Sequence, residues 1–139
     1  MSIVKHLDHV NLTVRSLAKS IDFYRRVFGF DVVESDARPD GSRWAILRAG
    51  EALLALSEYD IAPARDWQEK PKEARMNHFA LRVTCDFDAV VQREGLHVKY
   101  GGQIDWPHST SWYILDPSQH EIEVVRWHDD TISFAHAQR

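Results

Sequence analysis

The sequence predicts an α+β fold built from two βαβββ modules. The main observation is an internal repeat at an offset of 69 residues, which lays residues 7–14 over residues 76–83 and aligns His9 with His78. In each copy a helix-like segment follows, and several short strand-like segments come after it. With 139 residues, the chain is long enough to bury one substantial core, so we expect both modules within a single domain.

The first module is expected at residues 5–57. Its opening strand, residues 7–14, alternates apolar and polar side chains, so one face packs and the other carries polar groups. Ser16 is a suitable cap for a helix at 17–28, whose apolar residues recur at helical spacing and which Gly29 ends. Short strands are then expected at 30–34, 43–48 and 52–57.

The second module is expected at residues 76–126 and repeats this order. Residues 58–75 are polar, without a sustained period, and are predicted to link the modules. An alternating strand at 77–83 is followed by a helix at about 87–94, and residues 127–139 form a tail of mixed polarity. The remaining strands are expected at 97–100, 111–115 and 121–126.

Composition narrows the range of functions. The net charge of −4 gives no basic patch for nucleic acid or an anionic membrane. The single cysteine, Cys85, excludes an intrachain disulfide and favours a reducing compartment. No stretch of 18 apolar residues and no secretory leader is visible. We therefore expect a cytoplasmic protein with a small-molecule substrate and neither a nucleic-acid nor a membrane partner.

Three candidate metal ligands lie on strand faces opposite the apolar side chains. His9 and His78 occupy equivalent positions of the repeat, and Glu123 alternates with Ile122 in the last strand. Two imidazoles and one carboxylate are a common donor set for a divalent metal. The offset of 69 places Leu54 at the position equivalent to Glu123, so the first module offers no matching carboxylate.

A set of short motifs extends this pattern along residues 5–126. They are Leu7-Asp8-His9-Val10, Ser20-Ile21-Asp22-Phe23-Tyr24, Gly29-Phe30, Asn77-His78-Phe79-Ala80, Asp116-Pro117 and Ile122-Glu123-Val124. Their order resembles the vicinal oxygen chelate superfamily, which includes glyoxalase I, type I extradiol dioxygenases, fosfomycin-resistance thiol transferases and bleomycin-binding proteins. The resemblance implies that the modules form an open, cupped, eight-stranded mixed sheet around a divalent metal, commonly in a homodimer.

Carried over to this chain, the resemblance assigns the metal ligands to His9, His78 and Glu123. Fe(II) or Mn(II) is favoured, with Zn(II) or Ni(II) as alternatives. Two points stay open. Glu58 or a partner chain could supply a fourth ligand, and Glu121 shares a face with Glu123, so a register slip of two residues would exchange them.

The other candidate site residues come from the strands around these ligands. An acid/base role is open for His108, and Tyr113, ten residues before Glu123, is expected to donate a hydrogen bond to a substrate oxygen. Trp44 is equivalent to Tyr113 at the repeat offset. The residues expected to contact substrate are Asn11, Thr13, Trp44 and Trp112.

These patterns favour a divalent-metal-dependent enzyme that acts on a small oxygen-chelating substrate. Aromatic residues near the expected site favour dioxygenase-like chemistry, with a lyase as the other enzymatic form. A fosfomycin thiol transferase is disfavoured because residues 101–110 contain no Lys or Arg. The remaining alternatives are a glyoxalase-type lyase or thiol transferase, and a metal-free antibiotic-binding resistance protein.

Overall fold

A computed structural model describes residues 2–62 and 74–134. The chain divides into two compact units, Met1–Arg65 and Asp66–Arg139. Each unit contains one helix and four strands in βαβββ order, which confirms the predicted modules. Parts of the predicted linker (63–73) and tail (135–139) lie outside the described residues.

The first unit is a four-stranded mixed sheet with one helix. Its strand order is β1-β4-β3-β2, with β1 parallel to β4 and the other neighbours antiparallel. The elements are β1 Val10–Val14, α1 Leu17–Phe28, β2 Asp31–Ala37, β3 Arg43–Ala49 and β4 Ala52–Glu58.

Helix α1 begins and ends where the local sequence predicts. The Ser16 hydroxyl accepts a hydrogen bond from the Lys19 N–H at 3.2 Å, and the Glu58 carboxylate accepts one from the Leu17 N–H at 2.7 Å. Gly29 ends the helix with φ 76°, a conformation that costs glycine little. The helix and the sheet share a core that includes Leu12, Phe23, Tyr24, Val27, Leu47, Leu54 and Leu56.

The second unit has the same architecture. Its strand order is β5-β8-β7-β6, with β5 parallel to β8 and the other neighbours antiparallel. Its elements are β5 Phe79–Arg82, α2 Asp88–Glu94, β6 Ile104–Asp105, β7 Ser109–Leu115, β8 Glu121–Trp127 and a short 3₁₀ turn at His128–Asp130. The eight strands of the described residues thus form two four-stranded sheets, one in each unit. Among the helices of the described ranges, none has the length and apolar character needed to span a membrane.

One predicted strand is wrong. Residues 97–100 form no strand, and the corresponding edge strand is the later β6. The reason is local, because Tyr100, Gly101 and Gly102 all have positive φ, at 60°, 83° and 115°. Three such residues in succession cannot continue an extended chain. The Lys99 N–H instead donates to the Tyr113 carbonyl at 2.8 Å, which ties this turn to β7.

Strand register also corrects the repeat offset. Val10 lies opposite Leu54 in the first unit, whereas Phe79 lies opposite Ile122 in the second. The residue equivalent to Glu123 is therefore Ala55, and Leu54 belongs to the core. A one-residue change in offset moves a side chain to the other face of a strand.

The same shift applies to β3. Tyr113 lies opposite Glu123, and Ile46 lies opposite Ala55, so Ile46 is the equivalent of Tyr113. Trp44 corresponds instead to Ser111.

Candidate metal centre

His78 and Glu123 meet in the second unit. His78 immediately precedes β5, and Glu123 lies in β8 opposite Ala80. Since alternate residues of a strand share a face, His78 and Ala80 point to the same side as Glu123. The Nε2 atom of His78 is 3.0 Å from Oε1 of Glu123, and both side chains are partly buried.

Neighbouring side chains hold both members of this pair. The Ser111 hydroxyl donates to Oε2 of Glu123 at 2.7 Å, and the Asn77 amide oxygen lies 2.7 Å from Nδ1 of His78. With the amide oxygen toward the ring, Nδ1 is the donor, so Nε2 is the nitrogen that faces the carboxylate. The separation of 3.0 Å between Nε2 of His78 and the carboxylate oxygen of Glu123 is that of a hydrogen bond, and it is also that of two atoms that bind the same metal ion. The pair therefore fits a divalent ion.

His9 repeats the same arrangement in the first unit. Its Nδ1 lies 2.7 Å from the carboxylate of Asp8, as the Nδ1 of His78 lies beside Asn77. This hydrogen bond is the main reason that the pKa of Asp8 is lowered. Nε2 of His9 is thereby left as the ring nitrogen for a further ligand. In the described ranges, no group of three or more His, Cys, Asp or Glu side chains is arranged to hold a metal. The assignment of His9, His78 and Glu123 together stays a prediction.

Tyr113 lies beside the His78–Glu123 pair. It is directly opposite Glu123 on β7, and its ring packs edge-on against the His78 ring with centroids 5.6 Å apart. Burial, and then the negative charge of Glu123, raises the pKa of Tyr113 to about 12. The phenol is consequently protonated at neutral pH and can donate a hydrogen bond, as the predicted role requires.

The sequence analysis missed a lysine next to this group. Lys99 is only 2% exposed, and its ammonium group contacts the Glu121 carboxylate. The Tyr100 hydroxyl donates to the same carboxylate at 2.8 Å, and the other oxygen of Glu121 is 3.9 Å from Nδ1 of His78. Lys99 lies just before residues 101–110, the segment whose lack of Lys and Arg disfavoured a fosfomycin transferase. The pair Gly101-Gly102 was the available signal, because it indicates a tight turn that re-aims the residues before it.

His108 lies away from these residues. Its ring stacks on Trp127 with centroids 4.8 Å apart, contacts Phe134, and accepts or donates a hydrogen bond with Ser109 at 2.8 Å. Ser109 and Tyr113 are separated by about 13 Å along β7. The structure thus places His108 at the other end of the strand from Tyr113.

Trp112 points to the opposite face of β7 from Tyr113. It is 2% exposed, its ring packs on Phe87, and its indole N–H donates to Asp88 at 2.8 Å. These contacts join the sheet to the start of α2. They account for Trp112 as a core residue, and no substrate contact is needed to explain it.

The predicted substrate residues of the first unit share the polar face of its sheet. Thr13 and Trp44 both lie opposite Ser57, on the two sides of β4. The Ser57 hydroxyl donates to the Asn11 side chain at 3.1 Å and accepts from the Arg38 guanidinium at 3.0 Å. Arg38 is thus a further polar group on this face that the sequence analysis did not single out.

The comparisons with known proteins agree with this fold. The family model described as the Glyoxalase/Bleomycin resistance protein/Dioxygenase superfamily matches residues 6–124. The chain belongs to this superfamily. The motifs that resembled the vicinal oxygen chelate proteins fall within the matched region, so that resemblance is confirmed.

Two relatives are named as transferases. The chain is 29% identical to a protein named glutathione transferase FosA from Serratia marcescens, over 88% of this chain and 81% of the relative. It is 24% identical to metallothiol transferase FosB from Staphylococcus epidermidis, over 88% of this chain and 84% of the relative.

Solved structures show the same fold. A glyoxalase family protein from Enterococcus faecalis superposes with a TM-score of 0.72 at 21% identity, covering 89% of this chain and 99% of that one. The fosfomycin resistance protein FosX from Listeria monocytogenes, in complex with Mn(II) and sulfate, gives a TM-score of 0.64 at 17% identity, with coverage of 91% and 95%.

Proposed function

We propose that this protein is a metal-dependent transferase that adds a thiol to a small electrophile whose oxygen atoms can chelate the metal. The proposal rests on the close approach of His78 Nε2 and Glu123 Oε1, which is the part of the site that fits a divalent ion. The similarity to two transferases favours thiol transfer over the other reactions of the superfamily.

The structure bears on the choice between a dioxygenase and a transferase. The dioxygenase-like hypothesis used His108 as an acid/base group, and His108 stacks on Trp127 at the far end of β7. The objection to a fosfomycin transferase was the lack of a cation for the phosphonate in residues 101–110, and thiol transfer to an electrophile without a phosphonate does not need that cation. We therefore prefer the transferase, which was an alternative at first.

The ligand set that we propose is His9, His78 and Glu123. Bound there, a divalent ion would supply Lewis acidity toward a substrate oxygen. Glu123 contributes the negative charge that the two imidazoles lack, and Ser111 keeps its carboxylate oriented. Mn(II) is present in one structural neighbour, which makes it the first ion to test.

The chain's own groups have distinct tasks in the transfer. The sulfur of the thiol forms a bond to carbon while a carbon–oxygen bond of the electrophile breaks. That oxygen keeps the electron pair of the broken bond and receives the proton that the thiol gives up. The Tyr113 hydroxyl, which stays protonated at neutral pH and hydrogen-bonds with Glu123, would donate a hydrogen bond to an oxygen that gains negative charge.

Three proteins test the proposal: the wild type, Glu123→Gln and the control Glu51→Gln, which makes the same charge change in an exposed turn. We would measure bound Mn(II) and the consumption of glutathione with two small epoxides, glycidate, which carries a carboxylate, and fosfomycin, which carries a phosphonate. We expect one ion per chain and metal-dependent thiol consumption in the wild type and the control, and the loss of both in Glu123→Gln.

The same measurements separate the metal-free alternative. A binding protein of the bleomycin-resistance kind would hold the same amount of metal in the wild type and in Glu123→Gln, and would consume no thiol. Thiol consumption that persists after chelation and dialysis would also overturn the proposal.

A further inference from the structure

A buried ion pair stands next to the candidate metal ligands. Lys99 is held in place from several directions: its backbone N–H donates to Tyr113, its ammonium contacts Glu121, and its charge lies 4.9 Å from the centre of the Tyr100 ring. Tyr100 itself has φ 60°, an unfavourable conformation for a residue with a side chain. The turn therefore fixes Lys99 and Tyr100 in position at some cost in backbone energy.

Glu121 connects this lysine to the histidine. One of its oxygens receives both the Lys99 ammonium and the Tyr100 hydroxyl, and the other lies 3.9 Å from Nδ1 of His78. Because Glu121 and Glu123 alternate on the same face of β8, the two carboxylates lie on adjacent positions of one surface. The positive charge of Lys99 is thus neutralised within the protein.

The charges of the second unit indicate which substrates suit it. His78 is neutral as a ligand, and Tyr113 is protonated. With a divalent ion bound, the charges of the ion, Lys99, Glu121 and Glu123 sum to +1. Without the negative charge of Glu121 the sum would be +2. In a partly buried site such differences are little screened by salt.

We propose that Glu121 is a specificity-determining residue, which neutralises Lys99 and thereby fits the site to a substrate with one negative charge or none, such as a carboxylate, in preference to a doubly charged phosphonate. This inference rests on the site of the proposed function and specifies its substrate class. A dianion entering the site would have to displace Glu121 from Lys99 to reach the positive charge of the ammonium group.

The test compares two anions of the same shape and different charge. Methanesulfonate carries one negative charge, and methylphosphonate carries two at a pH above its second ionisation. Their dissociation constants would be measured by calorimetry for the wild type, Glu121→Gln and Glu51→Gln, each without metal and with Mn(II). Circular dichroism would verify that each variant is folded.

We expect Glu121→Gln to bind methylphosphonate about tenfold more tightly than the wild type does, because one repulsive charge within several ångströms is removed. The affinity of Glu121→Gln for methanesulfonate should increase much less, and Glu51→Gln should change neither dissociation constant. A second variant, Lys99→Gln, should weaken methylphosphonate binding and keeps the test informative if Glu121→Gln is unfolded.

Other outcomes would overturn the inference. One is an equal increase in affinity for both anions in Glu121→Gln. Another is no increase in the affinity of Glu121→Gln for methylphosphonate, and a third is no binding of either anion to any of the folded proteins. The readout is binding without turnover, and the metal-free series does not depend on the Mn(II) site. Failure of thiol transfer would therefore be distinguishable from failure of this inference.

Discussion

The β1–β4 register makes opposite predictions for two adjacent residues. Leu54 is 2% exposed and packs in the core of the first unit, whereas Ala55 lies on the polar face with Asn11 opposite it. We expect Leu54→Glu to be strongly destabilising and Ala55→Glu to be tolerated. Comparison of these two variants also tests whether Leu54 or Ala55 is the residue equivalent to Glu123.

The size of the difference follows from burial. Loss of a buried leucine side chain costs about 2–5 kcal/mol, and a carboxyl group without a partner in its place adds about 1–3 kcal/mol. The sum of about 3–8 kcal/mol is comparable to the whole free energy of unfolding of a typical domain, about 5–15 kcal/mol. Ala55→Glu should stay within about 1 kcal/mol, the range of strand propensities.

Urea denaturation followed by circular dichroism measures both values. Leu54→Glu should unfold at far lower urea concentration or fail to fold, while Ala55→Glu should remain close to the wild type. If the two variants lost equal stability, or if Ala55→Glu lost more, the register and the assignment of the polar face would be refuted.

Three further predictions concern the second unit and the assembly. Trp112→Phe should lower the free energy of unfolding by about 1–2 kcal/mol, because the hydrogen bond to Asp88 is lost. The KM for substrate should not change. A raised KM with unchanged stability would instead indicate that Trp112 contacts the substrate. Tyr113→Phe should slow thiol transfer while bound Mn(II) stays equal to that of the wild type, and loss of the metal would assign Tyr113 a structural role at the site. Sedimentation should show a homodimer, since Ile3, Val4 and Leu7 expose apolar side chains; a monomer at micromolar concentration would contradict it.

Local signals predicted the helices well. The bounds of α1 agree with the expected 17–28 because Ser16 and Gly29 act on their nearest neighbours only. The segment 97–100 failed for the opposite reason. The residue types at 97–100 allow a strand. Tyr100, however, has a positive φ in the turn that it forms with Gly101 and Gly102, and the residue type tyrosine does not indicate that conformation.

The site was predictable where it depended on alternation alone. His78 and Glu123 could be placed on one face because each follows the period of its own strand. The contact between Lys99 and Glu121 joins residues 22 positions apart, and it depends on how the turn re-enters the sheet. The equivalence of Leu54 and Glu123 failed because the repeat loses one residue of spacing between the paired strands, which a single offset cannot represent.

The two modules keep the histidine but differ in what surrounds it. Asp8 and Asn77 hold the equivalent histidines in the same way, through Nδ1. At the position of Glu123, however, the first module has Ala55, so it cannot supply the carboxylate. Glu58, the nearest alternative in sequence, accepts a hydrogen bond from the N-terminus of α1 and is committed there. A divalent centre with a charged ligand therefore depends on the second module. That module also holds Lys99 and Glu121, so the proposed specificity-determining carboxylate and the proposed metal-binding carboxylate, Glu121 and Glu123, lie on the same strand.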